Sequence, residues 1–254
     1  MLVRSLFIVL ALAAPIAGCG SADDAGRAAG AQTAEAPSAP GDVAETGDTL
    51  PAEVGDGPRV VFMGTSLTAG LGLPSPDEAF AARLQHMADS AGVPARMINA
   101  GVSGETSAGG LRRIGRLVDD TVDVLVLELG ANDGLRGQDT EALAANLQAI
   151  IDSTRAHWPE AEIVLAGMRA PPNLGARYTG AFGAVFPRVA AERETALVPF
   201  LLEGVAGMRA LNQGDGIHPT PEGHWMIART VWPVLKPAIE RAAAHRSTPG
   251  STHR

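Results

Sequence analysis

Cysteine and lysine are almost absent from this chain. Cys19 is the only cysteine among 254 residues, and Lys236 is the only lysine among the 20 basic residues. A single cysteine excludes an intrachain disulfide, a cysteine-ligated zinc site and a Cys-x-x-Cys redox pair. Lys236 follows an aromatic-proline segment rather than a glycine-rich loop. The chain therefore has neither a Walker P-loop nor a Ser-x-x-Lys acyl-transfer motif.

Aromatic residues are also scarce, and positive charge is not in excess. The chain has six Phe, three Trp and one Tyr, and 28 acidic residues outnumber the 20 basic ones for a net charge of −8. Most of this charge lies in residues 20–57, which contain eight acids and one base, whereas residues 58–254 are close to neutral. Nucleic-acid binders need a basic face, and single-strand binders often need stacking rings as well. We therefore expect no nucleic-acid partner.

The N-terminus predicts export. Met1–Cys19 begins with the basic Arg4, continues with a short apolar run and ends in Ile16-Ala17-Gly18-Cys19, which resembles the lipobox of bacterial lipoproteins. The resemblance implies removal of residues 1–18 as a lipoprotein signal peptide and acylation of Cys19, which would attach the protein to a membrane. The alternative is an ordinary signal peptide with a chance cysteine.

The next segment is acidic and poor in large apolar residues. Residues 19–57 are therefore predicted to be a disordered linker, because they cannot bury enough apolar surface to offset the entropy of ordering. Residues 58–245 are predicted to form the folded domain and residues 246–254 a polar tail. Gly20 is not the aspartate associated with inner-membrane retention. The expected location is thus the bacterial cell envelope, at the outer membrane facing the periplasm.

Short apolar runs and amphipathic stretches alternate about five times along the folded domain. This alternation predicts an α/β domain, a parallel sheet covered by helices on both faces, with ligand sites at the carboxyl ends of the strands. The predicted strands are Arg59–Met63, Pro94–Ile98, Val122–Leu129, Ile163–Ala166 and Ala196–Phe200. The predicted helices are Pro76–Ala91, Thr106–Val118, Thr140–Trp158 with Thr140 as its cap, Tyr178–Glu192, and Pro219–Ala244 with a break near Pro233.

Four polar, glycine-rich clusters follow predicted strands. Each taken alone has an ordinary interpretation as a turn or a helix cap. Together they supply a serine, a histidine, an acid and oxyanion donors, which are the parts that a serine nucleophile needs. The clusters are Gly64–Gly70, Asn99–Thr106, Gly130–Gly134 and Asp215–Pro219.

In order and spacing, these four clusters resemble the sequence blocks of the SGNH (GDSL) hydrolase superfamily. Within it they are most similar to the branch of bacterial thioesterases, lysophospholipases and arylesterases. The resemblance covers about residues 59–240, essentially the whole folded domain. It implies a three-layer α/β/α, flavodoxin-like fold with a five-stranded parallel sheet, and catalysis without a metal or an organic cofactor.

The resemblance also implies a role for individual residues. Ser66 matches the nucleophile, His218 the general base, and Asp215 the acid that orients the imidazole. The oxyanion hole would consist of the backbone N–H of Ser66, the backbone N–H of Gly101 and the side-chain amide of Asn132.

One position departs from the family's first block, which usually reads Gly-Asp-Ser-Leu. Thr65 replaces the aspartate, which leaves any role of that carboxylate in bracing the nucleophile turn in doubt. Activity is nevertheless expected, because the nucleophile, base and oxyanion positions are present.

Several polar residues are interpreted as non-catalytic. Ser103 is expected in the site wall or a turn, Asp133 in a structural loop, and His224 on a helix surface or in packing. The sequence favours a solvated helix face for Arg112, Arg113 and Arg116 over contact with an anionic acyl carrier. His86 and His157 are expected to be solvated or packed.

The leading hypothesis is an exported, lipid-anchored serine esterase, expected to be a monomer. Its partner would be a small acyl-ester or lipid substrate, cleaved through an acyl-Ser66 intermediate; the resemblance implies aryl esters, acyl thioesters or lysophospholipids. One alternative is a carbohydrate or peptidoglycan O-deacetylase of the same superfamily. Another is a non-catalytic lipoprotein that binds a ligand at a relic site. A flavodoxin-like phosphate or flavin binder shares the layer order but lacks a phosphate-cradling motif.

Overall fold

A computed structural model of the chain describes residues 57–247. The predicted signal peptide, Cys19, the linker up to residue 56 and the tail from residue 248 lie outside the described residues. The sheet has five parallel strands in the order β2-β1-β3-β4-β5. The strands are β1 (Arg59–Gly64), β2 (Arg96–Gly101), β3 (Val124–Glu128), β4 (Glu162–Ala166) and β5 (Ala196–Val198).

The strand order confirms the predicted flavodoxin-like sheet. β3 lies at its centre, and every residue from Val124 to Glu128 is buried, as expected for a strand whose apolar residues are almost continuous. Gly64, Gly101 and Glu128 are aligned in register at the carboxyl edge. This edge is therefore where the ends of three strands come together.

Within residues 57–247, seven α-helices surround the sheet. α2 packs against α7, whereas α5 packs against both α3 and α6. These two groups complete the predicted three-layer arrangement. The helices are α1 (Ser66–Ala69), α2 (Phe80–Ser90), α3 (Ser107–Leu117), α4 (Ala131–Leu135), α5 (Thr140–His157), α6 (Ala176–Glu192) and α7 (Pro221–Arg246).

Two predicted helix features were wrong. α7 continues through Pro233 without a break and ends at Arg246, beyond the predicted helix end at Ala244. Pro233 costs the helix a backbone hydrogen bond. The residues on either side of it, Val231 and Leu235, are fully buried and hold the helix in place. The cap of α5 is Asp139 rather than Thr140, because the Asp139 carboxylate accepts the N–H of Ala142 at 2.8 Å.

Two of the polar clusters overlap elements that the sequence did not place there. β2 extends past Ile98 to Gly101, because it pairs with β1 over that whole length. The third cluster overlaps the short helix α4, which the sequence did not predict. In the part of the chain that the structure describes, no helix is long and apolar enough to cross a membrane.

Candidate active site

Ser66 lies on a sharp turn between β1 and α1. Thr65 is the last extended residue, with φ −99° and ψ −150°, and α1 begins at Ser66 itself. Gly64 makes this turn possible, because a Cβ at its position would clash with the Thr68 side chain and the Glu128 carboxylate. The serine is thereby held at the carboxyl edge of the sheet.

Ser66, His218 and Asp215 form a continuous hydrogen-bonded chain. The distance from Ser66 Oγ to His218 Nε2 is 2.9 Å, and that from His218 Nδ1 to Asp215 Oδ2 is 2.6 Å. The other oxygen of Asp215 accepts the backbone N–H groups of Ile217 and His218, each at 3.0 Å. An ionised Asp215 fixes the proton on Nδ1, which leaves Nε2 free to accept the proton of Ser66.

The surroundings of Asp215 favour its ionised form. The hydrogen bond to the His218 side chain, followed by the two backbone N–H groups, lowers the pKa of Asp215 well below its usual range. Asp215 is therefore ionised at neutral pH, and the exposure of 46% of its side chain to water also favours the charged form.

Gln213 attaches the loop of the acid and the base to the loop that follows the nucleophile. Its side-chain amide donates to Leu71 O at 2.8 Å and to Pro219 O at 2.9 Å, and its N–H donates to His218 O at 2.7 Å. Nothing in the sequence pattern indicated this role, since the contact with Leu71 joins segments 142 positions apart.

One of the predicted oxyanion donors, Gly101, is engaged elsewhere in the structure. The N–H of Gly101 donates to Asn99 Oδ1 at 3.0 Å, and Gly101 is packed against the backbone of Ala69, outside the cavity beside Ser66. The backbone N–H of Gly101 is therefore already hydrogen-bonded at the end of β2, the strand whose length was underestimated.

Gly104, three positions further on, lines the cavity together with Ser66 and Asn132. It has φ +79°, a conformation that favours glycine. Among residues 57–247, no protein acceptor takes the N–H of Gly104 or that of Ser66. The amide nitrogen of Asn132 donates to Glu105 O at 2.9 Å, and its second hydrogen remains available.

Comparison with known proteins identifies the family. Residues 62–226 match the model of the GDSL-like lipase/acylhydrolase family. Esterase TesA of Pseudomonas aeruginosa is 42% identical over 181 residues, which is 71% of this chain and 89% of that protein. The arylesterase of Vibrio mimicus is 34% identical over 174 residues, 68% of this chain and 86% of that protein.

The chain belongs to the GDSL-like lipase/acylhydrolase family. Solved structures agree with this assignment. The crystal structure of TesA superposes with a TM-score of 0.68 at 42% identity, over 71% of this chain and 99% of that one. The psychrotrophic esterase EstA from Pseudoalteromonas sp. superposes with a TM-score of 0.67 at 31% identity, over 72% of this chain and 98% of that one. The predicted family and fold are therefore confirmed.

Thr65, the residue at which the first GDSL block departs from its usual form, is hydrogen-bonded to a buried acid. Glu128, the last residue of β3, is fully buried. Its carboxylate accepts the N–H of Thr65 at 2.8 Å and the hydroxyl of Thr65 at 3.0 Å. It also accepts the N–H of Thr68 at 3.3 Å and the hydroxyl of Thr68 at 2.7 Å.

Burial dominates the electrostatics of this acid and raises the pKa of Glu128 from 4.5 to about 7, although the four donors act in the opposite direction. Sequence reasoning missed Glu128. The available signal was a carboxylate at the end of an otherwise apolar, buried strand.

The cavity beside Ser66 has a volume of about 570 Å³ and a predominantly apolar lining. Three large apolar side chains at its wall, Leu71, Leu135 and Ile217, are 46–49% exposed. Exposed apolar side chains around a site are typical of a surface that receives an apolar ligand. Other apolar residues of the wall include Met168, Pro171 and Phe200.

The polar residues interpreted as non-catalytic lie outside the hydrogen-bonded chain. Asp133 is buried and accepts both the N–H of Ser107 at 2.9 Å and its hydroxyl at 2.6 Å, a structural link between α3 and α4. His224 is buried, stacks on Phe80 and accepts its N–H at 3.2 Å, so it is a packing residue. Ser103 is exposed in the turn before Gly104.

His86 and His157 also lie outside the site. His86 is exposed on α2, and His157 at the end of α5 is exposed and contacts Ser153 O. Within residues 57–247 there is no group of three or more His, Cys, Asp or Glu that could hold a metal ion.

Proposed function

We propose that the protein is a serine esterase that hydrolyses acyl esters and thioesters through an acyl-Ser66 intermediate. The observation that carries the proposal is the chain from Ser66 Oγ through His218 to Asp215 at the wall of an apolar cavity. The relatives named esterase TesA and arylesterase support it. The thioesterase 1/protease 1/lysophospholipase L1 of Escherichia coli, 35% identical over 181 residues, extends the proposal to thioesters and lysophospholipids.

In the first half of the reaction, Ser66 Oγ attacks the acyl carbon and its proton passes to His218 Nε2. The imidazolium is stabilised by the ionised Asp215, and the tetrahedral oxyanion by the N–H groups of Ser66 and Gly104 and the amide of Asn132. The intermediate then expels the alcohol or thiol, which takes its proton from His218.

In the second half, water attacks the acyl-serine ester. His218 accepts the proton of the water, and the second tetrahedral intermediate uses the same oxyanion donors. Expulsion of Ser66 Oγ, which regains its proton from His218, releases the carboxylic acid. Every proton transfer passes through His218 Nε2, so no metal ion and no organic cofactor is needed.

The apolar cavity supports acyl-chain binding. An acyl group longer than acetyl would remove apolar surface of Leu71, Leu135 and Ile217 from water, with a gain of about 0.8 kcal/mol for each buried methylene. An O-deacetylase would not gain from this cavity, so the proposal predicts a preference for longer acyl chains.

The test uses p-nitrophenyl esters of increasing acyl length with the wild-type protein and Ser66→Ala. We expect kcat/KM to rise beyond acetyl in the wild type and hydrolysis to be abolished in the variant. A fluorophosphonate probe should label Ser66 in the folded wild type and leave Ser66→Ala unlabelled. Activity confined to acetyl esters would favour the deacetylase, and an unlabelled, folded wild type would favour a ligand-binding protein.

We also propose that the protein is exported as a lipoprotein attached through Cys19. The sequence Ile16-Ala17-Gly18-Cys19 supports this proposal, as does the acidic segment that follows it. Multiple acyl chains on Cys19 would anchor the protein stably, and Gly20 favours the outer membrane as its location. Mass spectrometry of the membrane fraction should detect an acylated N-terminal Cys19. Cys19→Ser should move the activity to the soluble fraction; an unacylated, soluble wild type would contradict the proposal.

A further inference from the structure

A second cavity adjoins the catalytic one and differs from it in charge. Its volume is about 500 Å³, and Gly104 lines both cavities. Its walls come from the segment before α3, from the exposed face of α3 and from the end of α4. Four arginines line it, namely Arg112, Arg113, Arg116 and Arg136.

Only one of these arginines is neutralised by an acid. Arg113 pairs with Glu105, with Nε 2.8 Å from both carboxylate oxygens, and also donates to Ala100 O at 2.9 Å. Of the described residues that line the cavity, Glu105 is the only acidic one. Among residues 57–247, Arg112, Arg116 and Arg136 have no acidic partner, so the lining carries an excess of three positive charges.

Gly104, which lines both cavities, links the basic cavity to the reaction at Ser66. The N–H of Gly104 is one of the proposed oxyanion donors, and its carbonyl oxygen accepts a hydrogen bond from Arg136 at 3.1 Å. An ester carbonyl bound at Ser66 carries an acyl chain and a leaving group. The apolar cavity suits the acyl chain, which leaves the basic cavity across Gly104 for the leaving group.

We propose that this basic cavity binds a phosphate group carried by the leaving group, so that the enzyme prefers acyl esters of phosphorylated alcohols. The inference rests on the proposed esterase function. Arginine matches the geometry of phosphate oxygens and can donate two hydrogen bonds at once. Arg112 and Arg116 are the cations available for this contact, because Arg113 is held by Glu105 and Arg136 by Gly104 O.

The sequence favoured a solvated helix face for Arg112 and Arg116, and the structure explains why that interpretation is incomplete. Both residues are exposed on α3, as predicted. The end of α4, however, places Arg136 at the same cavity, from a segment more than one element further along the chain.

The experiment compares two substrates with the same acyl chain, an acylated glycerol phosphate and the matching monoacylglycerol, both below their micelle concentrations. For the double variant R112Q/R116Q we expect KM for the phosphate ester to rise about tenfold. This change corresponds to a loss of about 1.4 kcal/mol of binding free energy. Both steady-state constants for the neutral ester should stay within twofold of the wild type. Added salt should weaken binding of the phosphate ester in the wild type more than in the variant.

The control is R96Q/R229Q, which removes the same charge elsewhere. Arg96 lies at the amino end of β2 and Arg229 on α7, and both are exposed. This control should leave the phosphate ester unaffected. A second measurement uses free glycerol phosphate, which should inhibit neutral-ester turnover competitively in the wild type and about tenfold more weakly in R112Q/R116Q.

Three results would overturn the assignment. The first is equal KM changes for the two esters in R112Q/R116Q. The second is unchanged kinetics on both esters together with weaker binding to anionic phospholipid vesicles, which would assign the arginines to a lipid surface. The third is no competition by glycerol phosphate. A failure of the esterase proposal itself is distinct, because it would abolish turnover of the neutral ester in the wild type.

Discussion

The hydroxyl of Thr65 donates a hydrogen bond to the carboxylate of Glu128, with 3.0 Å between Thr65 Oγ1 and Glu128 Oε1, one residue before the proposed nucleophile. The usual first block of the family has a carboxylate at residue 65 itself. In this chain Glu128 supplies a carboxylate to the same turn from the adjacent strand, and Thr68 contributes two further donors. The turn that carries Ser66 is thus braced from β3.

Replacing Thr65 by Val should damage catalysis more than binding. The change keeps the shape of the side chain but removes a buried hydrogen bond, which should lower the free energy of unfolding by about 1–2 kcal/mol. A small displacement of Ser66 should lower kcat about tenfold with KM unchanged. Thr154→Val is the matched control, because Thr154 is also buried and its hydroxyl bonds Ile150 O within α5. Equal kcat values in the two variants would contradict a bracing role for Thr65.

Glu128 should reduce stability as the pH rises. Its pKa is 4.5 in the unfolded chain and about 7 in the fold, so between these pH values the unfolded state binds fewer protons than the folded state. The free energy of unfolding should therefore fall across this window, by about 3 kcal/mol in total.

The pH dependence of stability is measured by urea unfolding of the wild type and of Glu128→Gln. The series runs from pH 4 to pH 8, roughly the range spanned by this titration. The difference in unfolding free energy between the two proteins should change with pH across the window. Glu203→Gln, which removes an exposed carboxylate, is the control. A difference independent of pH would show that Glu128 does not titrate in this way.

His224 should have the opposite effect on the pH dependence. Burial, reinforced by the positive charge of Arg83 and by the proximity of His218, lowers the pKa of His224 from 6.5 to about 4. The unfolded state binds more protons between these values, so the free energy of unfolding should fall as the pH is lowered through the window. His224→Gln should lack this component, whereas the exposed His86→Gln should retain it, as followed by urea unfolding over the same pH series.

Asp215→Asn should lower kcat by about 10⁴, the cost typical of losing the orienting acid in such a chain. The asparagine amide cannot stabilise the imidazolium and favours the wrong tautomer of His218. Asp152→Asn removes an acid paired with Arg193 on the surface and should leave kcat unchanged. Activity on p-nitrophenyl esters measures both, and a loss below tenfold would remove Asp215 from the mechanism.

Asn132→Ala should lower kcat by about 10²–10³, as expected for an oxyanion donor, with little change in KM. Asn146→Ala is the matched control, since Asn146 donates to Ser107 Oγ at 2.9 Å outside the site. Comparable losses in the two variants would indicate a structural rather than an electrostatic role for Asn132.

Much of the architecture was predictable because it follows from local patterns. The apolar run of β3 predicted a strand buried on both faces, and the alternation of strands and helices predicted a parallel sheet. Element ends were less predictable. β2 ends at Gly101 rather than Ile98 because its pairing with β1 continues, and this extension directs the N–H of Gly101 to Asn99 and leaves Gly104 at the cavity.

The sequence by itself determined which chemical groups this protein can use. Ser66, His218 and Asp215 stand in motifs whose residue types and local spacing fit one reaction, and the five strands follow from short apolar runs. Only the tertiary structure decided which glycine of the second cluster lines the cavity, and which acid braces the nucleophile turn. Those relationships depend on how the ends of several strands converge: Ser66 and His218 are 152 positions apart, yet meet at 2.9 Å. Register and element length are set by packing across the whole sheet, which no local pattern contains.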